Sequence, residues 1–235
     1  MTFPKTVLVL AFITLFSTCK DVVFNNPLDP NASKEALRLI QVLTSGVSGK
    51  GDLAFDGEKI WKISDSGNLY ALDMESGLTI RTIPSVYGSG LGFLQDTIYV
   101  CDGSNILQTL DPLSGDLLNQ VSTTDLYPAY IAISEGRLLL YDRRSASLLT
   151  FEPDTGEAER LFQVSGLSPG GIETFRGGIL LTDANTDSIY YFSYTGGVIN
   201  VYRAPAAGIT GITVDDRDYI YLFTLDGHIY KVTLP

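Results

Sequence analysis

From Gly51 to its end the chain is written in short apolar runs, many of them alternating with polar positions and each closed by a turn of Gly, Asp, Asn or Ser. Alternation at period two marks strands that turn one face inward, and Gly- or acid-containing pairs between such runs mark hairpins. Apolar stripes at helical spacing are scarce. The pattern predicts an all-β chain.

The runs group into units that repeat. One unit, "GDLAFDGEKIWKISDSGNLYALDMESGLTIRTIPS", starts at Gly51, and others start at Gly90, Tyr130, Gly171 and Gly211, spaced 39, 40, 41 and 40 residues apart. A period near 40 with several short strands per unit is the mark of a β-propeller. The first hairpin of each unit is expected at Asp56-Gly57, Gln95-Asp96, Glu135-Gly136, Gly177-Gly178 and Asp216-Arg217. The second follows Asp65, Asp102, Asp142, Asp183 or Thr224. The third falls at "MESG", "PLSG", "PDTG" and "YTGG", where Gly77, Gly115, Gly156 and Gly197 are expected to take positive φ. Three hairpins give four antiparallel strands, one blade.

The unit from Gly211 stops before its third turn. Upstream of the first unit, "EALRLIQV" (35–42) matches "EAERLFQV" (157–164) at six of eight positions, and the latter is the fourth strand of the third unit. A fourth strand with no first three before it is expected to complete the last blade. The fold is therefore read as a five-bladed propeller over 35–235, closed by its N-terminal strand. A six-bladed or open arrangement is the rival.

The segment ahead of this domain is different. Lys5 followed by the apolar run "VLVLAFITLF" and then "FSTCKD" reads as an export signal over 1–19, too short to span and remain. The end of that signal resembles the lipobox of bacterial lipoproteins, which implies acylation of Cys19. Phe16 and Thr18 depart from the usual residues there, and ordinary cleavage or an uncleaved anchor are the alternatives. Residues 20–34, with Pro27, Pro30 and three Asn, read as a flexible tether. Two cysteines fit this reading: with Cys19 acylated, Cys101 in "TIYVCD" is expected to be a buried, inert thiol, a Cys19–Cys101 disulfide being the lesser alternative.

Charge narrows the partners. With 27 acidic against 16 basic residues the net charge is −11, which repels a phosphate backbone and excludes nucleic acid as a partner. The contacts expected are a membrane, through the lipid anchor, and an unidentified protein or small molecule on one propeller face. A monomer is expected.

The "LDPLSG" and "FEPDTG" turns, with "LAFDGEKIWKISD" before them, resemble a broad group of propellers that includes the glutamine cyclotransferase family, the NHL repeats and the virginiamycin B lyase group. The resemblance covers nearly all of 51–235 and is one of blade scaffolding. It implies the propeller fold, and it spans enzymes, binders and assembly scaffolds alike. The cyclotransferases are five-bladed, but their "FTQGL"-type opening is replaced here by "GKGDLAFDG". The lyase group relies on a histidine and a metal. The single histidine here, His228 in "LDGHIY", flanks a turn and reads as a solvated side chain.

Three sets of residues remain as candidates. Asp65, Asp102, Asp142 and Asp183 recur at the end of the second strand and would ring one face. Such a ring suits Ca2+ or a cationic ligand, but an Asp at a turn more often caps its own backbone amides. Glu173, in the innermost strand of blade four, stands where blades three and five carry Ala132 and Thr213. With Asp52 it would put charge in the central channel, as a ligand site or simply among water. Arg143 and Arg144, with Tyr87, Tyr127 and Tyr130 in the connections, are recognition-type residues expected on the Asp face. No resident cofactor or metal is expected, Ca2+ being the one ion considered. The reading is an exported, lipid-anchored binding or scaffolding module of the cell envelope. The alternative is a cyclotransferase-like or lyase-like propeller enzyme working through acids at the channel mouth.

Overall fold

The computed structural model describes residues 33–235. The export signal, Cys19 and most of the tether lie outside the described residues. Within them there is no helix. Twenty-one strands form five sheets, one per blade, with four strands in each apart from one two-residue addition.

β1 (Glu35–Ala36) and β2 (Arg38–Thr44) open the domain. Blade one is β3 (Leu53–Phe55), β4 (Ile60–Ser64), β5 (Asn68–Leu72) and β6 (Thr79–Pro84). Blade two is β7 (Gly90–Leu94), β8 (Thr97–Cys101), β9 (Ile106–Leu110) and β10 (Leu117–Ser122). Blade three is β11 (Pro128–Ser134), β12 (Arg137–Asp142), β13 (Ser147–Phe151) and β14 (Ala158–Gln163). Blade four is β15 (Pro169–Phe175), β16 (Gly178–Asp183), β17 (Ser188–Ser193) and β18 (Val198–Arg203). β19 (Ile209–Val214), β20 (Ile220–Thr224) and β21 (His228–Thr233) make three strands of blade five, and β2 is the fourth, antiparallel to β21 from Arg38↔Thr233 to Thr44↔His228. The N-terminal strand therefore closes the ring, as the repeat predicts.

Ring closure is visible in the packing. The inner strands β3, β7, β11, β15 and β19 touch one another in sequence, and β19 returns to β3. Each of the five interfaces between blades has its own buried cluster. Trp61 and Leu69 of blade one meet Leu91 and Ile98 of blade two. Tyr221 and Phe223 of blade five meet Leu53 and Ile60 of blade one, with Leu43 of the closing strand among them. Alternate residues of the inner strands feed opposite interfaces, which is why the sequence alternates where it does.

The structure corrects the closing segment in two ways. The closing strand is residues 38–44 rather than 35–42, and Glu35–Ala36 pair instead with β18 of blade four, in parallel. Leu39, Ile40 and Val42 do not enter the core but stay 50%, 44% and 43% exposed, while Leu37 and Leu43 are buried. Twisted blades diverge toward the rim, so an outermost strand has little on either side to pack against. Two turn positions also differ. The first hairpin of blade four turns at Arg176-Gly177, both with positive φ, as at Gln95-Asp96 and Glu135-Gly136. In the third turn of that blade Gly196, not Gly197, takes the left-handed conformation.

Candidate functional site at the axial channel

The inner strands start in close quarters on the propeller axis. A Cβ on Gly211 would stand 2.9 Å from the Gly51 carbonyl oxygen, and one on Gly90 2.6 Å from that of Ala129. The recurrent glycine at the head of a unit is thus a requirement of backbone approach.

Each inner strand leaves one edge of backbone donors and acceptors unpaired toward the axis, and two carboxyl groups take up part of it. Asp52, fully buried, accepts the N–H groups of Leu53 at 2.9 Å and of Ile212, on β19, at 3.3 Å. Its Oδ2 has no partner. Glu173 accepts the N–H of Thr174 at 2.8 Å and the hydroxyl of Thr213 at 3.0 Å. The two acids therefore bind adjacent residues of one strand, Ile212 and Thr213 of β19. Loss of water raises both acids: Asp52 goes well above the usual carboxylate range, with the Glu173 charge adding to the effect, and Glu173 rises to about 7. Lys62, also fully buried, lies nearby. Its ammonium donates to the carbonyls of Lys50 and Ile63 and rests 4.5 Å from the centre of the Phe223 ring. Burial lowers it to about 8, opposed by the charges of Asp65 and Asp52.

Glu173 faces the mouth at which the inner strands end. There a shallow, open depression of about 630 Å3 takes residues from all five blades. Its aromatic wall is Phe55, Phe93, Phe175 and Tyr194. Its acids are Asp56, Glu135, Glu173, Asp215, Asp216 and Asp218, against Arg176. Several of the acids are already engaged. Asp56 accepts from Trp61 at 2.7 Å and pairs with Lys59 at 2.9 Å, Asp215 closes its own turn through Arg217 and Tyr219, and Asp218 pairs with Arg176 at 2.9 Å. Even so, acids outnumber bases around an aromatic-walled opening, and such a site favours a cation.

The opposite face holds the remaining sequence candidates, and they do not converge. Arg144 stacks over Tyr127 at 5.3 Å beside a lateral groove of about 680 Å3 that also includes Asp125 and Arg160. Arg143 lies over Gly103 of the neighbouring blade. Tyr87 stands 67% exposed against Gly67. Tyr130 is turned inward toward Tyr141, ring centres 6.1 Å apart, and burial pushes its hydroxyl far above the usual tyrosine range.

Three of the four recurrent aspartates serve their turns. Asp142 accepts from the amides of Tyr127 and Ser145, Asp183 from the amide of Ser168 and the hydroxyl of Thr186, and Asp102 from the amide of Ser104. Among the described residues no three His, Cys, Asp or Glu side chains come together as a metal site. Cys101 is buried, and its thiol is pushed well up by loss of water. His228 faces Asp226 at 3.1 Å at a turn exit.

Sequence reasoning expected acids at the channel mouth, with Glu173 and Asp52 in the channel, and missed Lys62 and the hairpin acids Asp56, Glu135, Asp215, Asp216 and Asp218. The signal for the hairpin acids was present: the first hairpin carries an acid at Asp56, Glu135 and Asp216 in three of the blades that line the mouth. Nothing in the sequence marks Lys62, a polar letter at a buried strand position.

No family model and no curated protein matches the chain. Among solved structures it is similar to glutaminyl cyclase from Myxococcus xanthus, at TM-score 0.70 and 18% identity over 85% of this chain and 98% of that one. Weaker likenesses are to BamB from Moraxella catarrhalis, at TM-score 0.47 and 16% identity over 80% and 60% of the two chains, and to virginiamycin B lyase from Staphylococcus aureus, at 0.48 and 14% over 83% and 74%. The five-bladed fold is shared with the first; at these identities the likeness concerns the fold.

Proposed function

We propose that this chain is an exported, lipid-anchored propeller that acts as a binding or scaffolding module of the cell envelope, taking a cationic group of its ligand into the acidic, aromatic mouth. The observation that supports the binding site is the convergence of all five blades on one shallow opening in which acids predominate over a single arginine. A primary amine or a lysine side chain fits this chemistry, since aromatic faces and carboxylates both attract an ammonium ion. The test is calorimetry with free lysine and with a trilysine peptide. Saturable binding that weakens at least about tenfold, some 1.4 kcal/mol, in Glu173→Gln supports the reading. Equal binding by the variant, or none by the parent, contradicts it.

The anchor rests on "FITLFSTCKD". Cys19→Ser is expected to move the protein from the membrane to the soluble envelope fraction and to abolish incorporation of labelled palmitate. A variant that stays on the membrane, beside a parent that takes up no label, removes the anchor from the account. Several acyl chains together hold a protein on a bilayer, at about 0.8 kcal/mol per buried methylene.

One observation favours a second reading, catalysis. A carboxyl poised near 7 beside an open mouth is suited to general acid–base work. Turnover of an amine or peptide substrate that fails in Glu173→Gln would favour this reading over simple binding.

A further inference from the structure

Five outer strands form the rim of the propeller, and one of them already shows what can be added there. On β18 the side chain of Asn200 holds the amide of Val201 at 2.8 Å, and just beyond it Glu35 and Ala36 lie parallel to Tyr202 and Arg203 as a short fifth strand. Asn200 also donates to Glu35 at 3.4 Å, Lys34 donates to Ser188 at 2.7 Å, and Leu37 is buried against this edge.

β10 has the same local construction. Asn119 holds the amide of Gln120 at 2.8 Å, so "LLNQVS" on β10 corresponds to "VINVYR" on β18. Ile106, opposite Ser122, takes the place of Ser188, opposite Arg203. Among the described strands nothing pairs with the outer side of β10. Natural edge strands are guarded by charge, proline or a covering segment. β2 carries Arg38, β6 carries Arg81 and Pro84, β14 carries Glu159 and Arg160, and β18 carries Arg203 and is covered. β10 has none of these guards, and it presents Leu117 and Leu118 with Ile106 beside them, all exposed. Asp116 precedes the strand and Asp125 follows it.

We propose that the outer edge of β10 is a strand-addition site for an extended segment of a partner protein, apolar at alternate positions and basic at its ends. Backbone pairing would supply affinity, the apolar positions would cover Ile106 and Leu118, and the basic ends would meet Asp116 and Asp125. A second copy of the chain is the poorer occupant, since it brings a net charge of −11 against −11. This surface is separate from the axial mouth and does not depend on what the mouth binds.

The test uses the purified full chain and a fluorescent octapeptide alternating valine with threonine and ending in lysine at both sides. Fluorescence anisotropy should show saturable binding. It should weaken at least about tenfold with aspartate ends, with alternate backbone amides N-methylated, and with the double variant I106K/L118K, whose exposed positions leave the melting midpoint unchanged. Binding that survives N-methylation or the double variant, or no saturable binding at all, overturns the proposal. A wild-type dimer that becomes monomeric in I106K/L118K gives the edge to a second copy and overturns the assignment to a partner.

Discussion

A chain that begins at Ser45 is expected to have no stable folded ring, whereas one that begins at Ser33 should melt close to the full chain. The first truncation removes β2, six register pairs with β21, and the buried side chains of Leu37 and Leu43. About four ladder bonds contribute roughly 0.5–1.5 kcal/mol each. Two buried leucines add about 1.5–3 kcal/mol each at most. Against a total of about 5–15 kcal/mol, that loss approaches the whole stability of the domain. It also leaves β21 as a bare edge that invites association. The Ser33 truncation keeps every described strand. Thermal unfolding and size exclusion of the two chains beside the parent check this; matching midpoints for all three would mean that β2 does not close the ring.

Replacing Glu173 by Gln should stabilise the protein at pH 8 and change little at pH 4. The folded chain raises this carboxyl to about 7, above its unfolded value, so the folded state favours the protonated form. Stability from this group is therefore full below the ordinary carboxylate range, falls as the pH climbs toward 7, and stays reduced above it. Asp52 acts in the same direction. Lys62, lowered to about 8, acts in a separate window, losing stability as the pH falls from the ordinary lysine range toward 8 and holding level below it. The shift at Glu173 corresponds to about 1–3 kcal/mol, discounted because the residue is only partly buried. Urea midpoints from pH 4 to pH 8 read it directly. A variant whose pH profile parallels the parent would show that Glu173 is not the group being titrated.

Architecture was legible because turns and strand faces repeat. Gly77, Gly115 and Gly156 stand where chain reversal needs positive φ, and the match of "EALRLIQV" to a fourth strand placed the closure within a few residues. The exact register was not legible: the closing strand starts three residues and ends two residues later than the match places it, and 35–36 lie on blade four. Apolar letters also misled at the rim. Leu39, Ile40 and Val42 are apolar letters in a strand that closes the ring, yet a diverging outer strand leaves them in water. At the site, Glu173 and Asp52 stood out as acids in inner strands, and the structure brings both to β19. The hairpin acids of the mouth were harder to see, since they come from hairpins about 40 residues apart and belong together only once the ring is closed. Lys62 is hidden for a different reason: its charge is satisfied by backbone carbonyls and an aromatic face, which leave no trace in sequence.

Backbone amide NMR of the full chain titrated with trilysine tests the binding account most directly. The account predicts saturable shifts centred on Thr174, Val214 and the hairpins around Asp56, Glu135 and Asp216, with the amides near Tyr87, Tyr127 and Arg144 unmoved. Shifts confined to that opposite face, or none at saturating peptide, would contradict it.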